Sequence, residues 1–391
     1  SGRVPLLVKN GFRGPIFTTA ATADLCEIML RDSAKLMAEQ SMHEGHHPEQ
    51  GRLRPPLYDE RDVERAIGRF RQVRYNVPLD AAGLRVRFRD AGHILGSAML
   101  EIDVGGRTLL MSGDIGRPGA PFLRDPEPVM EADWLVLEST YGDREHGDKA
   151  GRGQRLFDIV FETIGRGGNL VIPAFAVGRT QEILYELNAF AEKGMLRDVP
   201  VFVDSPMAIS ASEIYSRHPE CFDADTLAML TRGDDPLSFP GMKFTRSKQE
   251  SLAINHLREP HIVISASGMC TGGRVVHHLA QNLEREESTI LFVGYQAEGT
   301  TGRRIRDGEK SIRLFGKEFD VRARVAVLDS FSAHADRTEI LDWLGKFKRF
   351  PQTVFLNHGE GTATSSLADD IRSQFGAQVQ TPTLGSSAEL G

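Results

Sequence analysis

Long apolar runs, cysteine pairs and an excess of positive charge are all missing from this chain of 391 residues. The longest apolar stretches, such as "NLVIPAFAV" at 169–177, fall far short of the roughly 20 residues a membrane helix needs, so no membrane span is expected. The three cysteines, Cys26, Cys221 and Cys270, are odd in number, widely spaced and never in a CxxC pair. They suggest neither a disulfide framework nor a thiolate zinc site, and they fit a reducing, cytoplasmic setting. A formal charge of -7 argues against a basic coat while leaving room for a local basic groove. At 40% hydrophobic residues the chain can bury a sizeable core, in two domains or one large one. It opens at Ser1 in "SGRVPLL" with neither the charged nor the apolar region of a signal peptide, and a fragment missing its beginning is expected.

What is present is patterned in three regimes. Alternation in "LRVRFRDAGHILGSAMLEIDVGGRTLLMSGD" predicts strands at about 84–89, 97–104 and 107–112, the last two joined at Gly105-Gly106, a two-residue hairpin signal. Arms of similar length return the chain to the end where the first strand finished, which sets Asp114 beside His93. After the Gly-rich, charged "GDREHGDKAGRG" the order becomes strand, loop, helix. In "GRTQEILYELNAFAEKG" Ile183, Leu184, Leu187 and Phe190 form one apolar face and Gly194 can end the helix. Strands alternating with helices imply a mainly parallel sheet. From about 323 a β-rich run leads to His334, then to a helix whose Asp336 and Glu339 form an imperfect capping box, then to a strand ending at His358.

Five polar residues share one context, a loop or end just after a probable strand: His93, Asp114, Glu138, His334 and His358. Nitrogen and oxygen donors of this kind suit zinc, and a carboxylate can bridge two ions. No pair has the short spacing of HxH or HExxH. Singly, each histidine is more commonly a capping or surface residue, Asp114 a turn former and Glu138 a solvated strand end. Five at strand ends exceeds chance placement. His43, His46 and His47 lack such a context and read as a surface loop.

The segments "GHILGSAML", "SGDIG", "ESTYGDR", "FSAHADR" and "NHGE", with "PAFAVGRTQEIL", "DSPMA" and "SASGMCTGGR" between them, occur in the order and approximate spacing of the metallo-β-lactamase-fold nucleases with a β-CASP cap. The chain resembles the prokaryotic RNA-degrading members, relatives of the endonuclease of pre-mRNA 3′-end processing. The resemblance implies an α/β fold: a metallo-β-lactamase αββα sandwich, N-terminally incomplete, at 1–146 and 323–391, with an inserted β-CASP cap of mainly parallel sheet at 147–322. It implies His93 as a ligand of one zinc, Asp114 as the carboxylate bridging two, and His358 as a ligand of the second. Glu138 and His334 match motifs beside the scissile phosphate, with His334 contacting or protonating it. Ser267, Gly268, Gly272, Gly273 and Arg274 of the Gly-rich loop, and Ser332, are expected to meet phosphate or RNA.

The family's HxHxDH segment lies just ahead of a stretch like "SGRVPLL". A truncated, metal-deficient chain is therefore expected, with a degenerate relative as the alternative; the remaining motifs favour truncation. The basic run 300–324, with Phe315 and Phe319, reads equally as an RNA channel or as a solvated hairpin. The expected activity is zinc-dependent endonucleolytic, and also 5′ exonucleolytic, hydrolysis of single-stranded RNA, with a homodimer as the expected assembly. The alternatives are a DNA-directed nuclease, against which His358 speaks, and a non-catalytic RNA-binding scaffold. A small-molecule hydrolase has no use for so large a cap.

Overall fold

The computed structural model describes residues 2–45, 55–147 and 151–390. Gly105 and Gly106 both take positive φ, 63° and 83°, the backbone a two-residue hairpin turn requires, and Val104 pairs with Arg107 across it. This hairpin sits inside a seven-stranded sheet with the order Gln378–Gln380, Thr353–Asn357, Trp134–Glu138, Arg107–Met111, Ala98–Val104, Leu84–Asp90, Leu79–Ala81. The first four strands run parallel and the hairpin strands antiparallel. Strands Leu84–Asp90, Arg107–Met111, Trp134–Glu138 and Thr353–Asn357 therefore all finish at one edge, where the loops with His93, Asp114, Thr140 and His358 begin.

Helices Arg337–Leu344 and Gly361–Phe375 cover one face of this sheet. Ile340, Trp343, Leu367 and Ile371 pack against Leu110, Leu135, Leu137, Val354 and Leu356, all essentially inaccessible to water. Each such side chain contributes roughly 1.5–3 kcal/mol by burial. A separate parallel pair, Ile16–Thr19 with Phe70–Val73, accompanies the helix Ala20–Gly45. That helix runs through His43, which corrects the loop expected there; His46 and His47 lie outside the described residues. Among the described residues no helix is long and apolar enough to cross a membrane. All three cysteines are buried and none is in a disulfide.

The second sheet has six parallel strands in the order Met242–Phe244, Val201–Val203, Ile262–Ser265, Leu170–Pro173, Thr289–Phe292, Arg324–Val327. Leu170 and Ile172 face the layer of Ile183, Leu184 and Leu187, while Val171 and Phe292 on the other side pack with Val275 and Leu279. Both faces are covered, so these strands read as continuous apolar runs without alternation. The last strand, placed by the sequence in the segment from 323, belongs to this sheet. Val325 is pinned beside Ile290 by the ladder, so sheet membership changes after Val327. The expected helix at 178–194 is Arg179–Glu192, followed by Gly194 at φ 74°.

Candidate metal centre

The site is assembled from loops held to one another by their backbones. Gly116 N–H donates to the Ala91 carbonyl at 2.8 Å, and Ala335 N–H donates to the Ile115 carbonyl at 2.8 Å. A Cβ on Gly116 would stand 1.8 Å from the Gly92 oxygen, so only glycine allows the His93 and Asp114 loops to meet this closely. His334 is fixed from the other side. Asp336 caps its helix through Glu339 N–H, and Glu339 returns a carboxylate to Asp336 N–H, both at 2.9 Å, completing the capping box the sequence suggested. Buried Arg117 joins this end, donating to Glu339 and to the Ser330 carbonyl.

Donor atoms of Asp114, Glu138, His334 and His358 all lie within 4.8 Å of one another. Asp114 presents its oxygens in two directions: Oδ1 is 3.1 Å from His358 Nδ1, and Oδ2 is 3.8 Å from His93 Nε2. His93 thus stands one step outside the tightest group, with its ring centroid 4.3 Å from that of His334. Glu138 is fully buried, in contrast to a solvated strand end. Its Oε1 accepts from Ile115 N–H, and its Oε2 accepts from the Thr140 hydroxyl at 2.6 Å and meets His334 Nδ1 at 2.9 Å. With Nδ1 engaged, Nε2 is the nitrogen His334 has left for a substrate. His358 adopts φ 56°, a left-handed backbone at which its ring, about half exposed, turns back to Asp114.

Electrostatics separate the roles. Burial, then the neighbouring His334 ring, push His93 down to about 4, which leaves it neutral and able to ligate at pH 7. Burial works to raise Asp114, but the His358 hydrogen bond and the surrounding histidines outweigh it and bring the carboxyl to about 2. The Asp114 bond raises His358. A carboxylate ionised at all relevant pH, with each oxygen toward a different imidazole, suits a cation or a pair of them. The residues present fit zinc.

Sequence reasoning passed over Thr140, two residues after Glu138 in the same segment, and His146, which lies in the stretch taken as a domain border. His146 Nε2 is 3.1 Å from the His334 carbonyl, its N–H donates to Asp336 at 3.0 Å, and its ring lies edge-on to Tyr141. A signal was available: a histidine eight residues past Glu138, two beyond the motif that carries it. Tyr295 is the corresponding omission in the cap, its hydroxyl reaching Glu360 just past His358.

The Gly-rich loop leaves the second sheet at its carboxyl edge. It is folded on itself, with Ser267 N–H on the Gly272 carbonyl and Val275 N–H on that of Ala266. Gly273, at φ 78°, passes so near Ala266 that a Cβ would stand 2.5 Å from its oxygen, and Gly268 lies against Phe175. Gly272 has open space around it. Arg274, expected to face phosphate, is instead turned inward, because buried Asp204 needs a counter-charge. Its Nη1 donates to Asp204 at 2.6 Å, and its two terminal nitrogens also serve the Thr245 and Arg246 carbonyls. Ser332 is buried beside the Tyr141 hydroxyl. In the run 300–324, Arg303, Arg304, Arg306 and Arg322 pair with Asp307, Glu309, Asp329 and Asp320. Phe319 packs on the core and Phe315 is exposed at the hairpin turn, which favours the solvated hairpin with one core phenylalanine.

A mixed sheet carrying a histidine–carboxylate cluster at its edge, under a parallel-sheet cap, defines a capped metallo-hydrolase. The Beta-Casp domain family matches residues 180–305, and the Zn-dependent metallo-hydrolase RNA specificity domain matches residues 318–382. The chain is 36% identical over 359 residues to Ribonuclease TTHA0252 of Thermus thermophilus, covering 92% of this chain and 78% of that protein. It is 32% identical over 402 residues to Transcription termination factor FttA of Pyrococcus abyssi, covering 98% of this chain and 59% of that protein. A protein of unknown function from Enterococcus faecalis, 11% identical over 95% of this chain and 75% of its own, superposes with a TM-score of 0.53 and shares the fold alone. This chain belongs to the β-CASP family of metallo-β-lactamase-fold hydrolases.

Proposed function

We propose that this chain forms the body of a zinc-dependent endoribonuclease, with 5′ exonucleolysis as a further mode, that hydrolyses phosphodiester bonds of single-stranded RNA in processing or decay. The observation that carries this reading is the cluster of Asp114, Glu138, His334 and His358 within 4.8 Å at the edge facing the cap. His93, Asp114 and His358 would hold zinc, two ions in the complete site. Zinc bound there would make a deprotonated nucleophile available near neutral pH and would offset charge on the phosphate.

The chain's own residues do the rest. Glu138, fixed by Ile115 N–H and Thr140, takes up His334 Nδ1 and so orients the ring. As an imidazolium, with Nδ1–H kept on Glu138, His334 is set to give its Nε2 proton to the leaving oxygen and return to the neutral ring. The loop 267–273 offers a backbone almost free of large side chains, along which a phosphodiester can pass closely. RNA rather than DNA is supported by the name of the Thermus relative and by the RNA specificity domain. A cytoplasmic setting accords with three buried cysteines outside any disulfide, and a homodimer is the proposed assembly.

The test is zinc content together with cleavage of matched labelled RNA and DNA single strands. About two zinc ions per protein, with RNA cut in preference to DNA, is the expected result. RNA binding without metal-dependent turnover would replace the nuclease by a scaffold.

A further inference from the structure

Strands Leu170–Pro173 and Ile262–Ser265 are paired in register, Pro173 beside Ser265, so the segments that follow them leave the sheet side by side. One carries Phe175 and the other is the Gly-rich loop. Ala174 and Ala176, on either side of Phe175, are buried in the core, whereas Phe175 itself is 43% exposed. Its backbone is rigid. Ala174 N–H donates to the Ser265 carbonyl at 3.0 Å, and the Phe175 carbonyl receives both the amide and the hydroxyl of Thr180, at 3.2 and 2.8 Å. The ring leans on Gly268, where a Cβ would come within 3.1 Å of Cδ2 and 2.9 Å of the Phe175 nitrogen, so glycine is what leaves room for it.

The segments that flank this ring reach the loops of the metal centre from two directions. Three residues on, Gly178 stands against Ile94, the residue after His93, with 3.1 Å between its would-be Cβ and Ile94 Cγ2. On the other side the Gly268 carbonyl receives the Gln296 amide at 2.9 Å. The adjacent Tyr295 ring lies 6.1 Å from Tyr141, which lies 6.2 Å from His334. An exposed planar ring on a hydrogen-bonded backbone, beside a glycine-rich loop, matches what an unpaired base and its phosphodiester require.

We propose that Phe175 is a nucleobase-stacking platform, taking one base of a single-stranded RNA whose backbone runs along loop 267–273 toward the Asp114–His358 cluster. The proposal rests on the RNA reading above and deepens it. Stacking on an aromatic face is tolerant of sequence, so the platform sets where the strand lies without selecting which base it holds.

The test measures binding of a fluorescein-labelled single-stranded RNA by anisotropy, with EDTA present so that no strand is cut, and places one abasic site or one 2-aminopurine at successive positions. Phe175→Ala and Phe175→Leu are expected to weaken binding about 5- to 100-fold, and Phe175→Trp to bind within about threefold of the parent. At one position 2-aminopurine is quenched by the parent and not by Phe175→Ala, and an abasic site at that position brings parent and variant to equal affinity. Undiminished binding by Phe175→Ala, or an equal loss with every abasic strand, overturns the platform and leaves the RNA reading standing. Absence of RNA binding by the parent overturns both.

Discussion

Asp204 offers the sharpest test of the cap's internal chemistry. Its carboxylate has no solvent access and accepts four hydrogen bonds: Thr245 hydroxyl and Arg274 Nη1 on Oδ1, both at 2.6 Å, and Ser251 hydroxyl at 2.6 Å and His278 Nε2 at 2.7 Å on Oδ2. Asp204→Ala removes the acceptor and keeps the donors, which is the costly way to break a buried pair, at about 3–5 kcal/mol. Arg274 is 23% exposed and can recover some hydration, which favours the lower end, about 3 kcal/mol. With a urea slope of roughly 3 kcal/mol/M, the far-UV circular dichroism midpoint should fall by about 1 M. The two tryptophans, Trp134 and Trp343, both pack with the first sheet, so their fluorescence reports whether the loss stays in the cap.

The acid limb gives a second reading of the same variant. Burial alone would raise Asp204, but His278, Ser251, Thr245 and Arg274 outweigh it and hold the carboxyl well below the ordinary 3.8. A depressed carboxyl contributes stability that is complete above the unfolded pKa and is lost as pH falls below it, toward the folded pKa. Parent and variant should therefore differ by a constant amount from about pH 5 upward and converge in acid. A midpoint shift below about 0.3 M would refute the argument, since water would then be replacing four buried hydrogen bonds at almost no cost.

Gly116→Ala should lower stability by about 1–3 kcal/mol or more and push the His93 and Asp114 loops apart, seen as a lower melting temperature together with weaker zinc uptake. Zinc at about 100 times its dissociation constant should stabilise the protein by about 2.7 kcal/mol, and Asp114→Ala should abolish that gain in a thermal melt; an unchanged gain would remove Asp114 from the metal set. His146→Ala withdraws the donor from the His334 carbonyl. In the zinc-loaded protein kcat should fall about 10- to 100-fold with KM nearly constant and be partly rescued in His146→Gln, whereas a change in KM alone would place His146 in binding.

The period-2 alternation between residues 84 and 112, with two glycines at 105 and 106, fixes both the hairpin and its register, because only the glycines tolerate the positive φ the turn demands. From that register alone Asp114 falls at the same sheet edge as His93. Local chemistry likewise determines the helix after Asp336, since both halves of its cap lie within four residues. Other features depend on contacts between distant segments. Nothing near Arg274 reveals that its guanidinium turns to a carboxylate 70 residues away, so a charge read as facing phosphate is spent inside the cap. Nothing near Val325 tells which sheet it joins, because a short apolar run suits a fully buried strand anywhere and only pairing with Ile290 decides. The sequence by itself determined the donor types, their loops and the alternation of strand and helix. Only the tertiary structure decided which oxygen of Asp114 faces which histidine, that Glu138 is consumed in holding His334, and that Phe175 is exposed beside Gly268, since each depends on the approach of chain segments that no local pattern encodes.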